Sequence, residues 1–149
     1  IIIQDTNELK CKCENRLFLR ANRWTSIRDL LFSTLRRTPT RIIIGEVRDG
    51  AALNLVKAWN TGHSGGVCTL HANSAPLGLI QLESYISEAS DTSQEITIVN
   101  TIDLVIDIQR VGVKRKVMQI IELKGCKING EIYMKGDSKA DKYIYERVI

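Results

Sequence analysis

A chain of 149 residues, 44% hydrophobic and 26% charged, is long enough for one domain with a real core and ordinary in composition for a soluble globular protein. Its net charge of +4 permits contact with nucleic acid or anionic lipid without arguing for either. No apolar run approaches the roughly 20 residues of a membrane span, and Cys11, Cys13, Cys68 and Cys126 lack the paired spacing of a zinc site, so reduced thiols are expected.

The chain opens on isoleucine inside an apparent strand, so we expect an N-terminal part to be missing from this sequence. Ile1–Ile3 reads as that strand, running into Gln4, Asp5, Thr6 and Glu8. Leu17–Leu19 forms a short second strand. Ser26-x-x-Asp29 resembles a capping box, with Ile27, Leu30, Leu31 and Leu35 on one helical face up to Arg37 and Pro39 ending the helix.

Arg41–Ile44 is a β-branched run too short for a helix and suited to a strand covered on both faces. It stops at Gly45, with Glu46 and Arg48 just beyond. Asp49 caps a helix whose stripe is Ala51, Ala52, Leu55, Val56 and Trp59, closed by Gly62. Gly66–Leu70 resumes as a strand and delivers Thr69, His71 and Asn73. Ser74 and Pro76 start a further helix with Leu79, Ile80, Leu82 and Ile86 as its apolar side, and Gln94–Thr101 forms a short one after a loop at Asp91–Ser93.

From Ile102 the period changes to two. Leu104, Ile106 and Ile108 alternate with polar residues, as do parts of Val117–Leu123, with Gly112 at the turn between them. Asn129-Gly130 signals a hairpin between Lys127–Ile128 and Glu131–Met134, and Tyr143–Val148 adds a last strand. The whole reads as an α/β fold: a parallel sheet flanked by helices, with a half-exposed antiparallel β extension attached to its edge near the C-terminal end.

A strand–helix–strand unit with short links makes a right-handed parallel crossover. Glu46 and His71 therefore emerge at one sheet edge, the edge where open α/β sheets bind ligands. Asp5 and Glu8 join them if the first strand is also parallel. Singly, each has an ordinary explanation: Glu46 as a surface residue paired with Arg48, His71 as a satisfied core histidine, His63 as a bystander in a Gly-rich turn. Together at consecutive strand ends they fit phosphate-ester hydrolysis with a divalent cation. Carboxylates hold Mg²⁺ through water and orient an attacking water, arginines (Arg36, Arg37, Arg41, Arg48) neutralise phosphoryl oxygens, and a histidine contacts a terminal phosphate. No G-x-x-x-x-G-K-[ST] occurs, so a phosphate-cradling loop is not in this chain. Lys114–Lys116 reads as a solvated strand end rather than a nucleic-acid module, because no aromatic platform accompanies it.

RIIIGEVRD, followed by KAWNTGHSGGVCTLHANSA, closely resembles the Walker B and histidine boxes of the secretion-superfamily traffic ATPases, most of all the TrbB-like conjugation ATPases of type IV secretion systems. IIIQDTNEL is similar to their acidic box, which usually reads I-E-D-T-x-E-L; Gln4 stands where an acidic residue is expected, and Thr40 where aspartate is common. The likeness covers about residues 1–123, leaving 124–149 as a β-hairpin tail. It implies part of a RecA-like P-loop NTPase core lacking Walker A, taking ATP and Mg²⁺ and working as a homo-hexamer. Such a motor lies in the cytoplasm, peripheral to the inner face of the bacterial inner membrane, engages inner-membrane components of the secretion machinery, and meets DNA only indirectly. Carried over by position, the resemblance makes Glu46 the Walker B glutamate, Asp5 and Glu8 the acidic box, His71 the histidine-box residue and Arg48 the arginine after the GE pair. Glu46 and Asp5 would approach Mg²⁺, partly through water; Thr69, His63, Gly45 and Arg41 are the expected nucleotide-facing residues. The alternatives are a type IV pilus or type II secretion motor, which shares these boxes, and a non-catalytic assembly subunit that keeps the fold without turnover, a reading to which Gln4 points. Without Walker A the isolated chain is expected to bind ATP poorly.

Overall fold

A computed structural model describes residues 1–128, 131–134 and 143–149. Four short strands, β1 (Ile2–Gln4), β2 (Phe18–Arg20), β3 (Ile43–Ile44) and β4 (Val67–Cys68), form one sheet in the order β2-β1-β3-β4. All three pairings are parallel, with Ile2 opposite both Phe18 and Ile43, and Ile43 opposite Val67. Helices α1 (Ile27–Leu35) and α2 (Ala51–Asn60) make the crossovers into β3 and β4, and α3 (Ala75–Ser87) and α4 (Glu95–Thr101) follow.

Local chemistry sets the helix ends where the sequence places them. Ser26 Oγ accepts the N–H of Asp29 at 3.1 Å while Asp29 Oδ2 accepts that of Ser26 at 3.0 Å, a complete capping box. Ser74 caps α3 by accepting from Leu77, with Pro76 in its first turn. At α2 the capping position is Gly50, and Asp49 contributes from one residue earlier by accepting the N–H of Ala51 at 2.8 Å.

The core is built around α2. Its predicted stripe is buried, and so are Leu53 and Ala58, because α1, α3 and α4 all pack against it. Only the narrow stripe of Asn54, Lys57 and Asn60 is left at least partly open to solvent and polar. Trp59 lies across β3, its Nε1–H donating to Ile42 O at 3.0 Å. This leaves no room at Gly66, where a Cβ would stand 2.0 Å from Trp59 Nε1 and 2.4 Å from Ile42 O. Ile80, expected on the apolar side of α3, is exposed; the buried side is Ala75, Gly78, Leu79, Leu82 and Ile86. Arg41 precedes β3 rather than belonging to it.

The C-terminal strands form a sheet of their own rather than an extension of the parallel sheet's edge. β5 (Leu104–Val111) pairs antiparallel with β6 (Lys114–Ile128) around Gly112, and β6 also pairs with β7 (Glu131–Met134) and β8 (Tyr143–Arg147). The predicted turn residues Asn129 and Gly130 lie outside the described residues. β6 runs unbroken through position 123. The sheet shares no strand pairing with the parallel one and is attached by packing on α3 and α4, with Tyr143 donating a long 3.5 Å bond to Glu83 of α3. β5 alternates as read: Leu104, Ile106 and Ile108 form its exposed face, while Val105, with Ile121 and Leu123 of β6, faces the helices. Period two states that two faces differ and leaves open which one turns inward.

All four cysteines are free. Burial pushes the Cys68 thiol up to about 12 and that of Cys126 to about 11, whereas the backbone N–H of Cys13 holds the Cys11 thiol below its usual value. Alkylation at pH 8 under native conditions should therefore modify Cys11 at least about tenfold faster than Cys68 or Cys126, read by peptide mass spectrometry. Gly66→Ala should lower stability by about 2–3 kcal/mol, seen as a reduced urea midpoint, because the added methyl collides with an indole that is itself anchored.

Candidate functional site

Parallel pairing of β1, β3 and β4 sends the residues after each strand to a single rim. Gly45 N–H donates to Ile3 O at 2.8 Å, and Val47 N–H to Thr69 O at 2.9 Å, so the backbone ladder continues past the strands into the segments that carry the polar side chains. Thr69 Oγ1 donates to Gly45 O at 2.6 Å. Thr69 and Gly45 thus brace the rim, tying the segment after β4 to the one after β3.

Asp5, Glu46, Arg48 and His71 meet there. The Arg48 guanidinium is ion-paired with Asp5 Oδ2, and its Nε lies 3.7 Å from Glu46 Oε2. The other oxygen of Glu46, Oε1, lies 3.4 Å from His71 Nε2. Glu46 is the most enclosed of the four, with its side chain 24% exposed, against 34% for Asp5, 55% for Arg48 and 90% for His71. A row of interacting polar groups results: Asp5, Arg48, Glu46, His71.

Three predicted residues are placed elsewhere. Glu8 is exposed, and its Oε1 accepts from Thr6 Oγ1 at 2.9 Å, within its own turn. His63 and Arg41 precede β4 and β3, so the parallel sheet carries them to the opposite rim from Glu46 and His71. There His63 Nδ1 is 2.6 Å from Pro39 O, and the carbonyl of Arg41 accepts from the N-terminal amine at 2.8 Å. The physical reason is directional: a residue before a parallel strand and one after it lie at opposite ends of the sheet. The Gly-rich loop of His63 serves the fold, as the entry to the strand that Trp59 covers.

Gln4 has a role that the sequence did not disclose. It is 4% exposed, and its Oε1 accepts the backbone N–H groups of Glu8 at 3.3 Å and Leu9 at 3.1 Å while Nε2 donates to Asn7 Oδ1 at 3.1 Å. Its amide shapes the turn that presents Asp5. The signal available in the sequence was its place as the last residue of a buried strand, where a polar side chain must find partners.

Among the described residues no group of three or more His, Cys, Asp or Glu is close enough to enclose a metal ion. Two carboxylates on one exposed rim do suit Mg²⁺, which keeps several waters and takes one or two carboxylates together with substrate phosphates. Asp5 and Glu46 are those two.

A family model described as "Type II/IV secretion system protein" matches residues 1–140. The chain belongs to this family. The match runs beyond residue 123, into the C-terminal sheet. Among its secretion-family relatives, "Conjugal transfer protein TrbB" of Rhizobium radiobacter is 45% identical over 129 residues, which are 87% of this chain and 40% of that protein. "Probable conjugal transfer protein TrbB" of Sinorhizobium fredii is 41% identical over 142 residues, 95% of this chain and 43% of that one. The chain therefore spans less than half the length of these relatives. The fold is similar to that of the VirB11 ATPase from the Brucella suis type IV secretion system, solved in complex with sulphate, with a TM-score of 0.73 at 26% identity over 80% of this chain and 38% of that one. The secretion-family chain is thus RecA-like α/β, a parallel sheet flanked by helices with an antiparallel sheet added. No helix among its described residues is long and apolar enough to cross a membrane.

Gln4→Ala should cost about 1–2 kcal/mol, because the part-buried N–H of Leu9 loses its acceptor and that of Glu8 keeps only Thr6 O. The measurement is a urea midpoint combined with hydrogen exchange, in which the Glu8 and Leu9 amides should lose protection first.

Proposed function

We propose that this chain is part of an ATP-hydrolysing motor subunit of a conjugation or type IV secretion system, the part that carries the Walker B and histidine boxes. The observation that supports this most is the meeting of Asp5, Glu46 and His71 around Arg48 on the rim where parallel α/β sheets take ligands. Similarity to conjugal transfer proteins at 41% identity and above, and to a type IV secretion ATPase in fold, supports the same reading. The phosphate-cradling loop then comes from the remainder of the polypeptide, and hydrolysis belongs to the whole protein, with this chain by itself a weak nucleotide binder.

In this reading Glu46 holds the metal side of the site and orients the attacking water, which its partial burial between Arg48 and the His71 imidazole suits. Asp5 shares the metal, chiefly through water. Bound Mg²⁺ supplies charge neutralisation on the phosphoryl oxygens. Arg48 stabilises negative charge developing on those oxygens, since its fork of donors matches phosphate as well as carboxylate. His71, exposed and 3.4 Å from Glu46, is placed to pass the state of the nucleotide to a moving neighbour. Thr69 and Gly45 keep the rim in register. The motor works as a homo-hexamer at the cytoplasmic face of the inner membrane, docked on membrane components of the machinery, with DNA handled only through them.

In the full-length protein Glu46→Gln should lower ATP turnover by about 10²-fold or more while leaving nucleotide affinity within about threefold. Equal and negligible turnover in wild type and variant would instead identify a non-catalytic assembly subunit; loss of binding together with turnover would refute the role given to Glu46. His71→Ala should depress mating efficiency far more than nucleotide affinity, and unchanged transfer would remove its coupling role.

A further inference from the structure

Each rim carboxylate commits one oxygen elsewhere and turns the other toward Arg48. Asp5 Oδ1 accepts the N–H of Thr6 at 2.9 Å, leaving Oδ2 for the guanidinium. Glu46 Oε1 faces His71 Nε2 at 3.4 Å, leaving Oε2 for Arg48 Nε at 3.7 Å. The guanidinium therefore sits where the two uncommitted oxygens converge. Without a positive charge between them, two carboxylates brought this close would repel.

The three groups are not equally held. Asp5 follows a buried strand and sits in a turn shaped by the buried Gln4 amide, and Glu46 is largely enclosed between the braced segments. Arg48 is more than half exposed, and its charged head is bonded to these carboxylates. Exposed ion pairs are weakly held and screened by salt. Of the three, Arg48 is the one free to leave.

We propose that Arg48 is a displaceable internal counter-ion that competes with a divalent cation for Asp5 Oδ2 and Glu46 Oε2. The inference rests on reading this rim as the metal and nucleotide site, and deepens it. While paired, Arg48 keeps the two carboxylates gathered. A cation taken up by those oxygens releases the guanidinium, which is then free for a phosphoryl oxygen. Divalent cation alone is consequently held weakly, and cation together with a nucleotide phosphate strongly, because the phosphate gives the displaced charge a new partner. The rim favours the metal–nucleotide pair over either component.

The test is Mn²⁺ binding to the full-length protein without nucleotide, followed by the electron paramagnetic resonance signal of the free ion. Arg48→Gln should bind Mn²⁺ about three- to tenfold more tightly than wild type, with the difference shrinking as salt is raised. Arg48→Lys should fall between them, and adding Asp5→Asn to Arg48→Gln should abolish the gain. Equal or weaker Mn²⁺ binding by a folded Arg48→Gln protein overturns the proposal. The underlying reading is separated by Mn²⁺ binding without nucleotide in Glu46→Gln and Asp5→Asn. If both variants bind Mn²⁺ like wild type, the rim is not the metal site and the counter-ion role falls with it. If they weaken Mn²⁺ binding while Arg48→Gln fails to tighten it, only the counter-ion role falls.

Discussion

The central constraint is that β3 pairs in parallel with two neighbours at once. Ile43 and Ile44 are flanked by Ile2 and Ile3 on one side and by Val67 and Cys68 on the other. Strands of two or three residues contribute little hydrogen bonding of their own, so the pairing depends on what covers it. That cover includes α1 and α2, the latter with seven of its ten residues buried and packed against three other helices. The indole of Trp59 pins the helix to the carbonyl of Ile42, and Gly66 exists to let the indole pass. A change at Gly66 would thus be felt at the far rim, because the same two strands deliver Glu46 and His71.

From that constraint the charges follow. Three strand ends bring two carboxylates and an imidazole to one place, and an arginine two residues beyond Glu46 is drawn in between. Backbone and side-chain hydrogen bonds involving Gly45, Val47 and Thr69 keep the segments level with one another. The rim combines a fixed part, Glu46 and the Gln4-shaped turn of Asp5, with a loose part, the exposed ends of Arg48 and His71. The proposed hydrolysis would use both: fixed groups to hold the reacting centre, and loose ones whose partners can change.

The C-terminal sheet shows how period and packing divide the information. β5 and β6 pair over their length with a register shift after Asp107, and β7 and β8 both line up on β6. The sheet is joined to the rest through apolar contacts with α3 and α4, which bury Ile121 and Leu123 and partly cover Val105. The row Leu104, Ile106, Ile108 has a comparable hydrophobic pattern and faces outward.

The sequence by itself determined the elements and their order: capped helix starts at Ser26 and Ser74, the β-branched runs, the hairpin centred on Gly112, and which polar residues follow which strand. These are set by neighbours within a few residues, through sterics, capping and period, and they sufficed to bring Asp5, Glu46 and His71 to a common edge once the crossovers were taken as parallel. Only the tertiary structure decided which side chains meet. Arg48 reaches Asp5 across 43 residues of chain, Gln4 turns inward to hold a loop, His63 is carried to the opposite rim, and Val105 rather than Leu104, Ile106 or Ile108 lies on the inner face of β5. Each of these depends on the register of strands far apart in sequence and on which surface a helix happens to cover, and no local pattern encodes either.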